Sequence, residues 1–313
     1  MNCRICQSAE VSLSVVTREM MFGLRDEFTY FECAGCGCVQ IQDIPADLGR
    51  YYPQNYYSFQ ESGRVERLLK ERWAAYSYHG SGMTGSLIAV VLGKNAAIES
   101  VKRTGVGFNA DILDVGCGNG DLLLLLHSLG FSSLTGVDPF LADDIVYKNG
   151  VRVLKKHLGE MAGQFDLIML HHAFEHMTDP AEILGQAARI LRKDGQVVIR
   201  VPVAGSDAWR RYGANWAQLD PPRHIVLPTV KSMEILAART GLRLDRVVFD
   251  STEFQFWGSE QYQLNIPLHD PRSLFPLSKR ARFFWRMRKQ RQQAKELNAR
   301  GAGDSACFHF HKI

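Results

Sequence analysis

The chain has 313 residues, enough for a full hydrophobic core and a second small unit. Its 46% apolar and 22% charged residues exclude a disordered or fibrous polymer, and a net charge of +4 is too mild to select nucleic acid or an anionic surface as partner. The opening MNCRICQSAE has no leader-like apolar run. The longest apolar stretch, Leu87 to Leu92, falls well short of the roughly 20 residues that span a bilayer, so a cytoplasmic location is expected.

The first feature along the chain is a pair of C-x-x-C knuckles, Cys3/Cys6 and Cys33/Cys36, with Cys38 close behind. Two such knuckles can bring four thiolates into the tetrahedron that zinc prefers. Residues 11–30 alternate well enough for a hairpin between them, and residues 1–45 are expected to form a zinc ribbon. They hold little apolar mass, and metal binding adds on the order of 10 kcal/mol in such small units. A redox pair or disulfides are the alternatives, without a secretory signal or a thioredoxin-like context to favour them. Four protein ligands make a structural rather than a catalytic zinc, and Cys38 can replace Cys36 among them. Residues 46–105 follow as a connector and helical segment. The connector at 46–61 is tyrosine-rich and includes Tyr56 and Tyr57. Residues 62–105 are expected to be helical in two pieces, broken near Gly80 to Gly85.

Residues 106–313 form the expected main domain, an α/β unit with a parallel sheet and helices on both faces. Its most informative stretch is Asp111 to Gly120, DILDVGCGNG. Ile112, Leu113 and Val115 read as a buried parallel strand. Gly116, Gly118 and Gly120 make a turn that lets the backbone approach a ligand, and Leu122 to Leu126 begin a helix. A dinucleotide fingerprint is G-x-G-x-x-G; here Asp121 stands where the third glycine would be. With Asp114 at the strand end, the turn suits a ligand with a positive amine and no phosphate. Cys117, inside the turn, reads as small-residue packing.

Downstream, Phe165 to Leu170 reads as the fourth strand, with HHAFEHMTDP (171–180) as the loop and short helix after it. Ala181 to Leu191 reads as a helix stopped by Lys193-Asp194-Gly195, and Gln196 to Val201 as the fifth strand. Leu244 to Phe249 reads as the sixth strand and Ser305 to Lys312 as the last, which leaves 251–303 inserted between them.

The turn and the elements in this order resemble the class I S-adenosylmethionine-dependent methyltransferases, strongly over about 95–250. The resemblance implies a Rossmann-like, doubly wound, seven-stranded sheet whose last strand is antiparallel. It implies S-adenosylmethionine as cofactor. The set Asp114, Gly116, Cys117, Gly118, Gly120, Asp138, Pro139 and His171 would hold it, with Asp138 on the ribose hydroxyls. The chain also resembles sugar and cell-surface polysaccharide methyltransferases, some of which carry an N-terminal zinc module, a tyrosine-rich segment and an acting histidine after strand five. Tyr56 and Tyr57 match the tyrosine-rich segment and His224 the loop histidine; that subgroup often has Glu before the histidine, where this chain has Arg223.

Methyl transfer to a hydroxyl or an activated carbon needs a base near neutral pKa, which imidazole supplies. Ligands of open parallel sheets lie beyond the carboxyl ends of the strands. His171, His172 and His176 follow the fourth strand, and His224 lies in LDPPRHIVLPT, where Pro221 and Pro222 are expected to force extended backbone before them. His224 and His172 are therefore candidate catalytic residues, and the resemblance adds Tyr57. A Glu175–His176 metal site lacks the further histidines such a site wants. Trp209 to Trp216 offers ring and guanidinium faces for an acceptor or for interdomain packing. The expected acceptor is a small molecule, a sugar hydroxyl or carbon of a nucleotide sugar or surface glycan. A quinone or lipid-linked acceptor, or nucleic acid, is the alternative; a cofactor-free scaffold is disfavoured by the intact turn. A basic, aromatic-faced helix at 279–291 reads as packed on the core, or as a contact for an anionic membrane surface, a phosphate-bearing substrate or nucleic acid.

Overall fold

Among the described residues twelve strands form two sheets: β1 (Val11–Arg18), β2 (Glu27–Cys33), β3 (Val39–Ile41), β4 (Asp111–Val115), β5 (Ser133–Val137), β6 (Ile145–Val146), β7 (Arg152–Leu154), β8 (Phe165–His171), β9 (Leu191–Pro202), β10 (Val226–Leu227), β11 (Leu242–Phe249) and β12 (Ser305–Lys312). The structure, a computed structural model, describes residues 2–52, 63–276, 279 and 283–313.

The large sheet has the order β11-β12-β9-β8-β4-β5-β7-β6. Its middle is parallel, and β12 runs antiparallel between β9 and β11. The inner strands are unbroken apolar runs because both faces are covered: Leu167, Ile168, Met169 and Leu170 are wholly buried. The sheet has eight strands where seven were expected. The extra one, β6, is two residues long, antiparallel to β7 at the open edge, and leaves Val146 exposed. So short an edge strand has no periodicity for a sequence pattern to reveal.

Among the described residues of 62–105 there are three helices where two were expected: α1 (Arg64–His79), α2 (Met83–Leu92) and α3 (Ala96–Thr104). Gly80 ends α1 in the left-handed conformation, and a second break follows α2 at Gly93. Asn95 caps α3 by accepting the Ile98 N–H. The α1–α2 crossing needs Gly85, where a Cβ would lie 2.2 Å from the Arg72 carbonyl oxygen. In the core come α4 (Asp121–Ser128), α5 (Pro180–Ile190), α6 (Asp207–Tyr212), α7 (Val230–Arg239) and α8 (Phe254–Gln263). Strand β9 starts at Leu191, directly after α5. Its pairing with β8 jumps from Leu191 to Gln196, so Lys193-Asp194-Gly195 bulge out of the ladder.

Residues 251–303 contain α8 and a helix at Phe284–Ala299. Met287 of that helix packs in a buried cluster with Met20, Met21, Trp257 and Tyr262. Arg291 pairs with Glu253 at 2.7 Å and Arg286 pairs with Glu260, while Trp285 is exposed and stacks with the Arg288 guanidinium. Among the described residues no helix is long and apolar enough to cross a membrane.

The small sheet has the order β1-β2-β3-β10. Its first three strands come from the cysteine-bearing unit, and β10 comes from the loop after β9, pairing Val226 with Gln40 and Leu227 with Val39. The two units share one hydrophobic core, in which Tyr30, Val39 and Ile41 pack with Trp216, Leu219 and Ile225.

Candidate functional site

Strand β4 delivers the glycine turn to the carboxyl edge of the sheet. Gly116, Gly118 and Gly120 all have positive φ, at 71°, 52° and 82°. At Gly116 a Cβ would come 2.5 Å from the Ala173 Cβ, so glycine is needed there for contact as well as conformation. Cys117 packs where Gly136 leaves room, since a Cβ on Gly136 would meet its sulfur at 2.4 Å.

Asp138, just past β5, is buried and turned onto this turn. Its Oδ2 accepts the Gly118 N–H at 3.0 Å and its Oδ1 accepts the Phe140 N–H at 3.0 Å. Phe140, two residues on from Asp138, has an 81% exposed ring; nothing but its place after β5 could have singled it out. Asp114 is fully buried: desolvation, then the charge of Asp138, raise its carboxyl to about 8, so it is mainly protonated at neutral pH. Asp121 contacts Lys70 of α1 at 3.3 Å. The acidity read from Asp114 and Asp121 is thus muted in the folded chain, by burial at one and a lysine at the other.

A second cluster forms where β8, β9 and the 216–228 loop meet. His172 has a positive φ of 53°; its Nδ1 lies 3.3 Å from Glu175 Oε1 and its Nε2 contacts the Arg200 guanidinium. A guanidinium only donates, so Nε2 accepts and Nδ1 donates to Glu175; both nitrogens are committed. Arg200 is held in turn by Asp250 through Nε–Oδ2 at 2.5 Å and Nη2–Oδ1 at 3.2 Å. His171 lies among Arg200, His172, Asp250 and His309. Burial and the Arg200 charge push it down to about 3, and its ring nitrogens have no hydrogen-bond partner among the described residues.

His224 is nearly buried, and its Nδ1 donates to the Gln218 carbonyl at 2.7 Å. In the neutral ring Nε2 is then the nitrogen that keeps the lone pair; it lies 3.9 Å from Glu175 Oε1 and 3.9 Å from Asp220 Oδ2. His176 repeats the arrangement, with Nδ1 2.8 Å from the Arg223 carbonyl and 3.2 Å from the Tyr52 hydroxyl; burial first, then His224, lowers its pKa. Glu175 is wholly buried. Burial alone would raise its carboxyl, yet the bond from His172 and the neighbouring imidazoles hold it at about 2, and its Oε2 has no hydrogen-bond partner among the described residues. The possible ligand atoms of Glu175, His176 and His224 lie within 4.8 Å of one another.

The loop bearing His224 departs from the expected extended entry. Asp220, before the cis Pro221–Pro222 bond, is left-handed at φ 39° and ψ 55°. A following proline mainly excludes the right-handed helical region, and Asp tolerates the left-handed one. Tyr57 and Tyr56 lie outside the described residues. Trp209 and Trp216 are buried and donate their indole N–H groups to Glu32 and Asp304, so those rings serve packing.

The cysteines meet as the spacing implied. Cys3, Cys6, Cys33 and Cys36 place their sulfurs within 4.8 Å of one another, with Cys6–Cys33 at 3.4 Å and Cys3–Cys36 at 3.6 Å. Cys38 is a fifth thiol, 3.3 Å from Cys3 and 3.4 Å from Cys36. Gln40 Nε2 donates to both Cys3 and Cys38 at 3.2 Å. All seven cysteines are free thiols. An all-sulfur cage with N–H donors to the sulfurs fits a thiophilic ion, with Cys36 and Cys38 competing for one place.

Sequence comparison matches residues 89–247 to the family model described as a methyltransferase domain. A ubiquinone biosynthesis O-methyltransferase of Sodalis glossinidius is 25% identical over 192 residues, 55% of this chain and 77% of that protein. The protein of the same name from Klebsiella pneumoniae is 26% identical over 151 residues, 44% of this chain and 62% of its own length, under two thirds of that relative. Among solved structures, a cyclopropane synthase of Mycobacterium tuberculosis aligns with a TM-score of 0.45 at 20% identity, covering 69% of this chain and 82% of that one.

Proposed function

Because this chain belongs to the methyltransferase-domain family and is an S-adenosylmethionine-dependent methyltransferase, we propose that Asp114, Gly116 to Gly120 and Asp138 hold the cofactor and that the Glu175–His176–His224 cluster meets the acceptor. The observation that carries this reading is Asp138: a buried carboxylate, ordered by the N–H of Gly118, stands beside a turn that admits no side chain at Gly116. When bound, S-adenosylmethionine supplies a methyl group already activated for in-line displacement. The chain's own task is alignment, worth about 7–11 kcal/mol in well-oriented reactions. Asp138 would accept from the ribose hydroxyls, the turn would give backbone contact to the methionine portion, and Asp114 would face its ammonium. His224 takes the acceptor's proton at Nε2, the lone pair left by its bond to Gln218. His172, with both nitrogens engaged, orients Glu175 rather than moving a proton.

The acceptor we propose is a small molecule, a sugar hydroxyl or carbon of a nucleotide sugar or surface glycan. A quinol is the second reading, favoured by the relatives named for ubiquinone biosynthesis. The four-cysteine cage is proposed to hold a structural zinc, which orders the N-terminal unit. Asp138→Ala tests the cofactor reading. Losing hydrogen bonds to a charged acceptor, about 1.5–3 kcal/mol, should weaken S-adenosylhomocysteine binding roughly 10- to 150-fold by calorimetry; unchanged affinity would remove Asp138 from the site. Isotope-labelled S-adenosylmethionine offered with nucleotide sugars and with a quinol analogue separates the two acceptor readings by which product carries the label.

A further inference from the structure

The loop that carries His224 is built into the sheet of the cysteine-bearing unit. β10 is a strand of that sheet, and the Ile41 N–H donates to the Ile225 carbonyl at 3.0 Å. The hydroxyl of Tyr30, on β2, donates to the carbonyl of His224 itself at 2.7 Å, and its ring is wholly buried. One residue earlier, the fully buried Arg223 joins Asp220 at 2.6 Å to Glu19, just past β1, at 2.9 Å. Glu19 is held rigidly, because its two oxygens also accept the N–H groups of Phe22 at 2.9 Å and Leu24 at 2.8 Å. At the far end of the loop, Thr229 Oγ1 donates to the Cys36 carbonyl at 2.7 Å and Lys231 Nζ to the Gly35 carbonyl at 2.6 Å. The loop is thus gripped from Arg223 to Lys231 by residues within the first 41 of the chain.

A buried ion pair such as Glu19–Arg223 is a poor source of net stability, since desolvation offsets its attraction; specifying one arrangement is its better-attested use. What is specified here is the ring of His224. The bond from Nδ1 to the Gln218 carbonyl decides which nitrogen keeps the lone pair, and a shift of the His224 backbone by about 1 Å would take that bond outside hydrogen-bonding range. We infer that the N-terminal unit is a positioning part of the methyl-transfer site: Tyr30 through the His224 carbonyl, and Glu19 through Arg223, hold the imidazole in the tautomer that leaves Nε2 free. The inference rests on the reading of His224 as proton acceptor.

The test reads the tautomer directly. Two-bond proton–nitrogen spectra of the full, nitrogen-15-labelled chain with S-adenosylhomocysteine report which ring nitrogens carry protons, and His224→Gln identifies the His224 signals. The wild type is expected to show His224 protonated at Nδ1 and bare at Nε2. Tyr30→Phe and Glu19→Gln are each expected to give a mixture in which Nε2–H is populated. S-adenosylhomocysteine affinity should stay within about twofold, because Asp138 and Gly118 share no partner with Tyr30 or Glu19. A purely structural Tyr30 would lower the melting temperature and leave the tautomer as it was. Tyr30→Phe removes a single oxygen and keeps the packing, so it decides the matter if Glu19→Gln does not fold. A folded Tyr30→Phe protein with the wild-type tautomer overturns the positioning role alone. A wild type already protonated at Nε2 overturns the His224 reading beneath it.

Discussion

The proposed place of Asp114 beside the cofactor's ammonium predicts a pH dependence of binding with a definite sign. Its carboxyl is raised to about 8 in the ligand-free chain by burial and by Asp138. A bound ammonium favours the ionised form, so below pH 8 binding must displace a proton. With that pKa, about 1% of the group is ionised at pH 6 and half at pH 8, so affinity should rise about 50-fold between them and then level off. Calorimetry with S-adenosylhomocysteine in buffers of different ionisation enthalpy should find close to one proton released per ligand at pH 6–7, and Asp114→Asn should flatten the profile. The same shift sets the ligand-free stability. The folded pKa lies above the unfolded value, so between about pH 4 and 8 the native state holds the extra proton; this contribution is full below pH 4 and is lost as pH rises through 8. The wild type should therefore lose stability relative to Asp114→Asn across that window. A flat affinity profile with no proton release would refute the placement of the ammonium beside Asp114.

Three other outcomes follow from the geometry. Gly116→Ala combines a positive φ of 71° with a Cβ 2.5 Å from Ala173, and should cost about 2–5 kcal/mol in denaturant melts; a cost within experimental scatter would mean the turn is not built as described. Elemental analysis should find close to one zinc per chain, and chelation should lower the melting temperature; Cys38→Ser should retain the metal if Cys36 is the fourth ligand. His224→Gln, assayed on whichever acceptor becomes labelled, should lose about 10²- to 10⁴-fold in turnover with cofactor affinity intact, and full turnover would place the base elsewhere.

The parts of the fold that read directly from the chain are mostly those with local cause. An apolar run ending in Gly116, Gly118 and Gly120 can be little other than a strand feeding a tight turn, and each C-x-x-C knuckle is itself a local structure; the meeting of the two knuckles was legible because four thiols at that spacing suit one tetrahedral ion. What did not read is long-range or short. β6 and β10 have two residues each, too few for periodicity, so the eighth strand and the shared sheet were hidden. Glu19 and Arg223 are 204 positions apart and carry no joint signature. The role expected of His172 depends on what its nitrogens meet, and only the folded chain brings Arg200 and Glu175 to them. Asp114 and Asp121 read as plain negative charges, because burial and the nearness of Lys70 are properties of the packed domain.

The central claim, that the turn at 116–120 and Asp138 form a site for S-adenosylmethionine rather than a phosphate-bearing dinucleotide, is tested most directly by titrating the full chain in a calorimeter with S-adenosylhomocysteine and, separately, with NAD at pH 8. Saturable one-to-one binding of the first, weakened roughly 10- to 150-fold in Asp138→Ala, with no heat from the second, is the predicted result. Binding of NAD, or none of S-adenosylhomocysteine, would contradict the account.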